Sequence, residues 1–323
     1  MSAPAREPGA AATGRHEILE PRPGPGGLGV PLRQVVDDGR LVVVRRGLHH
    51  LDALEPLLRA TGHAAAGTLP PDAAATVGRL GVEALHTAAT VEQATAFRTR
   101  LETLLRPVAA EAVRSFAERA APGGPRVYLS HHLGVRIMLP HAAVAGRAEL
   151  DPLAGFMVPH SPHIDSWFNT PVNSVNLWIA LGRVRPGNGL LIYPHLYREP
   201  VRREGFRVAP GQDLGTPVRV TLDPGDILVF AGDHVHSSET NTTDETRYVL
   251  TKRISVGAPR FSRQGGGWIP YHDPRLLDGP LPALASLRSR ATAAYGRHLL
   301  RAALRRPPAY ENTRTPPPSP AQA

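Results

Sequence analysis

GDILVFAGDHVHSSETNTTDETRYVLTKR, residues 225–253, carries the reading of the fold. The apolar run 226–230 is the length of a buried strand, a polar turn follows, and Arg247 opens a second β-rich run that reaches residue 256. His234 and His236 sit just past the first run. Working outward, the same pattern recurs upstream. Short β-rich runs at 127–129, 135–139, 155–158, 172–181, 189–193 and 218–222 alternate with Gly, Pro, Asn and Asp turns. Eight short strands of this kind suggest a sandwich or jelly roll, although spacing alone does not separate a jelly roll from other all-β folds.

Before residue 121 the pattern differs. Residues 41–44 read as a short buried strand, and 48–60 as an amphipathic helix with apolar residues at 48, 51, 54, 57 and 58. Residues 91–120 form the longest helical pattern, with a kink expected near Pro107. Helical periodicity returns over 282–306, where arginines occupy the face opposite the apolar stripe. The expected organisation is a disordered leader over 1–28, one catalytic domain over 29–282 with N-terminal helices, a C-terminal helix over 283–306 and a disordered tail over 307–323.

Composition narrows the chemistry. The 323 residues contain no cysteine, which excludes disulfides, thiolate metal sites, iron–sulfur clusters and a cysteine nucleophile. The formal charge is +9, and Lys252 is the single lysine in an otherwise all-arginine basic complement. After residue 281 there are seven arginines against Glu311, so six of the nine net charges lie in the terminal segment. No aromatics interleave a basic face and no nucleic-acid motif is present, so a nucleic-acid partner is not expected. No run approaches 18 apolar residues and no basic-then-apolar leader opens the chain, so neither membrane association nor secretion is expected and the expected location is the cytoplasm.

MVPHSPHIDSW, residues 157–167, holds the pair His163-x-Asp165, with His160 just ahead. In extended chain, residues two apart point the same way, so an imidazole and a carboxylate can share one metal. A downstream imidazole, from His234 or His236, completes the residue types of the 2-His-1-carboxylate facial triad, which leaves half of an octahedral iron open. Arg247, eleven residues past His236, could return beside the site, and its guanidinium suits a carboxylate.

The ordered pieces HIDSW, VNLWIAL, GNGLLIYPHLY, GDILVF and HSSETNTTDETR resemble the phytanoyl-CoA dioxygenase-like branch of the Fe(II)/2-oxoglutarate oxygenases, and the similarity extends over about residues 29–257. The resemblance implies a mainly β fold, a double-stranded β-helix (jelly roll) with flanking α-helices. It implies that His163, Asp165 and His236 ligate Fe(II), with 2-oxoglutarate and O2 as cosubstrates. It further implies that Arg247 and Ser238 hold the distal carboxylate of 2-oxoglutarate and that Trp178 lines its pocket. Arg136 is a further candidate for that pocket. The Ser238 and Arg247 spacings select His236 over His234. Halogenases of this class carry a small residue in place of the carboxylate, so Asp165 argues against halogenation. The expected activity is hydroxylation of an unactivated C–H of a small molecule in specialised metabolism, with release of succinate and CO2. The arginines at 198, 202 and 203 suggest an anionic or carrier-linked substrate. The alternative is a redox-neutral or non-catalytic cupin-like metal-binding protein.

Overall fold

The computed structural model describes residues 17–120, 122–145, 157, 159–168, 170–262 and 271–273. The expected leader up to residue 16, nearly all of the strand expected at 155–158, the C-terminal helix and the tail lie outside the described residues.

The first third is mostly helical. A two-residue strand β1 (Ile18–Leu19) precedes helix α1 (Leu32–Asp38) and strand β2 (Leu41–Val44). Helices α2 (Gly47–His50), α3 (Leu54–Ala66), α4 (Pro71–Leu80), α5 (Leu85–Ala88) and α6 (Val91–Ala120) follow. β1 pairs in parallel with β2, so the segment expected as leader joins the sheet from residue 18. Helix α6 begins with a reciprocal cap. The Thr90 hydroxyl accepts the Gln93 N–H at 3.2 Å, and the Gln93 side chain accepts the Thr90 N–H at 2.9 Å. Its buried stripe, Ala94, Phe97, Leu101, Leu105, Ala109, Val113 and Phe116, follows the three-to-four residue period. Each large apolar side chain buried there contributes about 1.5–3 kcal/mol. The opposite face carries Arg–Glu pairs one turn apart, such as Arg106–Glu102. The helix runs on through Pro107 to Ala120 as one element.

The rest is built on strands: β3 (Val127–Met138), β4 (Ser174–Ala180), β5 (Leu190–Tyr193), β6 (Arg203–Glu204), β7 (Arg207–Val208), β8 (Val218–Arg219), β9 (Ile227–Ala231), β10 (Val235–Ser238), β11 (Arg247–Val256) and β12 (Tyr271–His272). A short helix α7 (His141–Val144) follows β3. The two runs expected at 127–129 and 135–139 are one long strand, with an irregularity in its pairing between Lys252 and Ile254 of β11.

Seven strands form one sheet in the order β1-β2-β9-β4-β11-β3-β12, antiparallel apart from β1–β2. A second sheet has the order β10-β5-β8, and β6–β7 is a separate hairpin. Among the described strands the two sheets share no ladder, so they form no closed barrel. Side-chain alternation assigns the faces of the large sheet. Val175, Leu177 and Ile179 of β4, with Tyr248 and Leu250 of β11, pack into the core shared with α3 and α6. Trp178 and Ala180 of β4, Val249 of β11, and Leu190 and Ile192 of β5 form the core between the sheets. Polar residues on that inner face make the site.

Candidate metal centre

The loop that carries His163 is stitched to β10. The His163 N–H donates to the His236 carbonyl and the His236 N–H returns to the His163 carbonyl, both at 3.0 Å. A residue pair that exchanges both backbone bonds holds its side chains abreast on one face. The two rings accordingly lie 4.3 Å apart. Ile164 is extended, with φ −121 and ψ 134, so Asp165 projects to the same side as His163. The Asp165 N–H donates to the Gly232 carbonyl at 3.0 Å, and the Gly232 N–H donates to the Ser174 carbonyl at 3.0 Å. These bonds tie the loop to β4 and the end of β9.

His163, Asp165 and His236 are all buried, and one ligand atom from each lies within 4.8 Å of the others. Each imidazole uses its Nδ1 on a backbone carbonyl, His163 on Ser161 at 2.7 Å and His236 on His234 at 2.9 Å. A carbonyl only accepts, so each Nδ1 carries the proton and each Nε2 keeps a lone pair. Burial lowers His163 to about 4 and His236 to about 3, so both are neutral and able to ligate at physiological pH. Burial pushes Asp165 up, but Arg253 and the two imidazoles pull it well below the usual carboxylate range. Two neutral nitrogens and one carboxylate oxygen suit a first-row divalent metal and could hold one here.

His234 is not part of this cluster. β10 begins only at Val235, so the alternation that would align His234 with His236 does not extend back to it. Its ring meets the carbonyls of Ala231 at 3.2 Å and Gly39 at 3.1 Å and stacks on Tyr197. His160 lies over His163 with ring centroids 3.9 Å apart, while His195 bonds to the Leu214 carbonyl.

Beside the cluster is a small pocket that opens to solvent. Among the described residues, Arg136, His160, Asn176, Trp178, Leu190, Phe230, Ser238, Thr251 and Arg253 line it with the two histidines. Trp178 and Ser238 are thus both lining residues of this pocket. Arg247 lies behind the Trp178 ring, its guanidinium carbon 5.4 Å from the ring centroid. It is fully buried, and its Nη1 donates to the carbonyls of Asn188 at 2.9 Å and Gly189 at 3.0 Å. Its Nε and Nη2 are buried and find no acceptor among the described residues. Burial, aided by Arg136, lowers Arg247 to about 9. A buried donor left unmade costs about 1–3 kcal/mol, so this edge of the guanidinium is a costly feature unless an acceptor reaches it.

Two residues escape the sequence reading. Arg253 grips Asp165 with a fork, Nε to Oδ2 at 3.0 Å and Nη2 to Oδ1 at 2.9 Å. Asn176 donates Nδ2 to Oδ2 at 2.7 Å. Their signal is alternation: Asn176 lies two residues before Trp178, and Thr251 and Arg253 continue the face that Arg247 begins.

A buried imidazole–carboxylate–imidazole cluster on the inner face of a two-sheet scaffold defines the class as a candidate mononuclear metal protein. Over residues 151–249 the chain matches the family model described as phytanoyl-CoA dioxygenase (PhyH), which bears out the resemblance read from the sequence. No curated protein matches the chain. Among solved structures it is similar to the non-heme alpha ketoglutarate dependent epimerase SnoN from nogalamycin biosynthesis, with 23% identity over 49% of this chain and 60% of that one, and a TM-score of 0.36. It is also similar to the carbocyclase SnoK from the same biosynthesis (19% identity, 53% of this chain and 64% of that one, TM-score 0.36). AviO1 from Streptomyces viridochromogenes Tue57 is a third (19% identity, 49% and 62%, TM-score 0.31). The chain thus spans between 60% and 64% of these structures' lengths. No helix among the described residues is long and apolar enough to cross a membrane.

Proposed function

We propose that the chain is an Fe(II)- and 2-oxoglutarate-dependent oxygenase with a jelly-roll core, and that it hydroxylates a C–H bond of a small molecule in specialised metabolism. The observation that carries this reading is the convergence of two Nε2 lone pairs and one carboxylate oxygen at a pocket lined by Trp178, whose ring lies against a buried arginine with two donors that find no acceptor among the described residues. The family match over residues 151–249 supports it. In this reading His163, Asp165 and His236 hold the iron, which when bound supplies the redox chemistry that couples O2 and the decarboxylation of 2-oxoglutarate to oxidation of substrate.

The chain's own residues do the positioning. Arg247 presents Nε and Nη2 to the distal carboxylate of 2-oxoglutarate, a charge-assisted pairing that also answers its own buried charge. Ser238 offers a hydroxyl at the same end. Trp178, Leu190 and Phe230 exclude water from the cosubstrate. At the rim, Phe168 stands edge-on to His163 at 5.4 Å and stacks on the exposed Phe206 of the β6–β7 hairpin at 5.1 Å. That aromatic pair is where we place the entering substrate, an anionic or carrier-linked small molecule.

Purified protein supplied with Fe(II), ascorbate and 2-oxoglutarate should release succinate and develop an iron-to-oxoglutarate charge-transfer band. Asp165→Ala should abolish both. Metal binding that proceeds without any binding of 2-oxoglutarate would instead support the cupin-like alternative, against which the unpaired Arg247 donors already speak.

A further inference from the structure

We propose that Arg253 is the positioning residue that restricts Asp165 to ligation through a single oxygen, Oδ1, and thereby keeps half of the metal's coordination sphere open. This inference rests on the oxygenase reading above.

The case comes from counting lone pairs. Each carboxylate oxygen has two. Oδ2 accepts Arg253 Nε at 3.0 Å and Asn176 Nδ2 at 2.7 Å, so both of its lone pairs are used. Oδ1 accepts Arg253 Nη2 at 2.9 Å and retains one lone pair, on an atom 3.7 Å from His163 Nε2. A guanidinium fork that meets both oxygens also fills the mouth between them, where a chelating metal would have to sit. Asp165 can therefore offer the metal one oxygen and no more.

The geometry is held firmly. Side-chain exposure is 10% for Arg253 and 2% for Asp165. Arg253 pairs with Asn176 across the β11–β4 ladder, so one register brings both donors to the same carboxylate. An octahedral metal with three single-atom protein ligands has three positions left. A chelating 2-oxoacid would need two of them, and O2 would need the third. A carboxylate free to chelate would compete for one of them. Lysine keeps the charge of Arg253 but cannot span both oxygens, so Arg253→Lys separates fork geometry from simple charge neutralisation.

The test uses the full chain loaded with Mn(II) or Co(II). Electron paramagnetic resonance of the Mn(II) form in oxygen-17-enriched water counts bound waters, and titration of the Co(II) form yields dissociation constants for metal and for 2-oxoglutarate. Wild type should show three waters. Arg253→Lys and Arg253→Met should show two, with 2-oxoglutarate bound about tenfold or more weakly and Co(II) affinity lowered by a smaller factor, because the second carboxylate–metal bond offsets the lost support. Arg253→Lys keeps the test open if the methionine variant does not fold. Three waters and wild-type 2-oxoglutarate affinity in Arg253→Lys would overturn the proposal, as would parallel loss of metal and 2-oxoglutarate. A wild-type protein that binds Co(II) but not 2-oxoglutarate would overturn the oxygenase reading as well.

Discussion

Replacing Arg247 by methionine separates ligand binding from folding. The substitution removes the two donors, Nε and Nη2, that have no acceptor among the described residues. Hydrogen bonds to charged groups contribute about 1.5–3 kcal/mol each, so a loss of about 3 kcal/mol in 2-oxoglutarate binding is a conservative expectation, a factor of about 150 in Kd. The same change also removes the Nη1 bonds to the carbonyls of Asn188 and Gly189, at about 1 kcal/mol each. It also gives up the guanidinium's place over the Trp178 ring and the influence of the Glu239 carboxylate, but against these losses it relieves the burial of a full charge. The two effects oppose, and the ligand-free Tm should move by only a few degrees. With 2-oxoglutarate at about 100 times the wild-type Kd, binding stabilises wild type by about 2.7 kcal/mol. For a domain of this size that is a rise of about 5–10 °C, and in Arg247→Met it should shrink to about 1 °C. Thermal unfolding of the metal-loaded protein with and without 2-oxoglutarate reads both quantities. If the variant still gained several degrees from 2-oxoglutarate, or if its ligand-free Tm collapsed while its affinity survived, Arg247 would be a structural residue and the pocket assignment would fall.

Two further outcomes follow from the same geometry. Burial, with Arg106 nearby, lowers the single lysine, Lys252, from 10.5 to about 8. The unfolded chain then binds more protons than the folded one between those values, so this group makes stability rise with pH across that window, and below it the buried ammonium costs about 3 kcal/mol. Lys252→Met should therefore stabilise the protein at pH 7 by up to about that amount, with the advantage fading toward pH 10, as read from denaturant unfolding at the two pH values. Gly232 accepts the Asp165 N–H, and a Cβ added there would collide with Ser174 Oγ. Gly232→Ala should displace the Asp165 loop and weaken Co(II) binding about tenfold or more while leaving far-ultraviolet circular dichroism unchanged.

Much of the site is legible in the sequence because its parts are close along the chain or carry an unusual residue type. His163 and Asp165 are two apart, and an extended Ile164 is enough to align them. The Ser238 and Arg247 spacings already select His236 over His234 under the family resemblance, and the start of β10 at Val235 supplies the physical reason. Arg253 and Asn176 are legible only as inward positions of two strands. Their meeting at Asp165 depends on the β11–β4 register, which joins residues 77 apart in the chain and has no local signal. The long helix α6 is readable from its period, while α1, α4 and α5 are short or alanine-rich, and their helicity comes from packing more than from propensity. Ile18–Leu19 sits among glycines and prolines, and only the partner strand β2 makes it a strand.

Strand β11 lies between β4 and β3 and carries Arg247 near one end and Arg253 near the other. The proposed cosubstrate anchor and the fork on Asp165 thus share one interior strand of the large sheet. Local opening in proteins favours edges, loops and termini, and central strands exchange their amide hydrogens only in near-global unfolding. These two arginines consequently cannot be loosened separately by ordinary fluctuation. Breathing falls instead to peripheral elements such as the separate β6–β7 hairpin, while the polar residues of the inner face stay assembled, so under the proposed reading little ordering entropy would be spent on ligand binding.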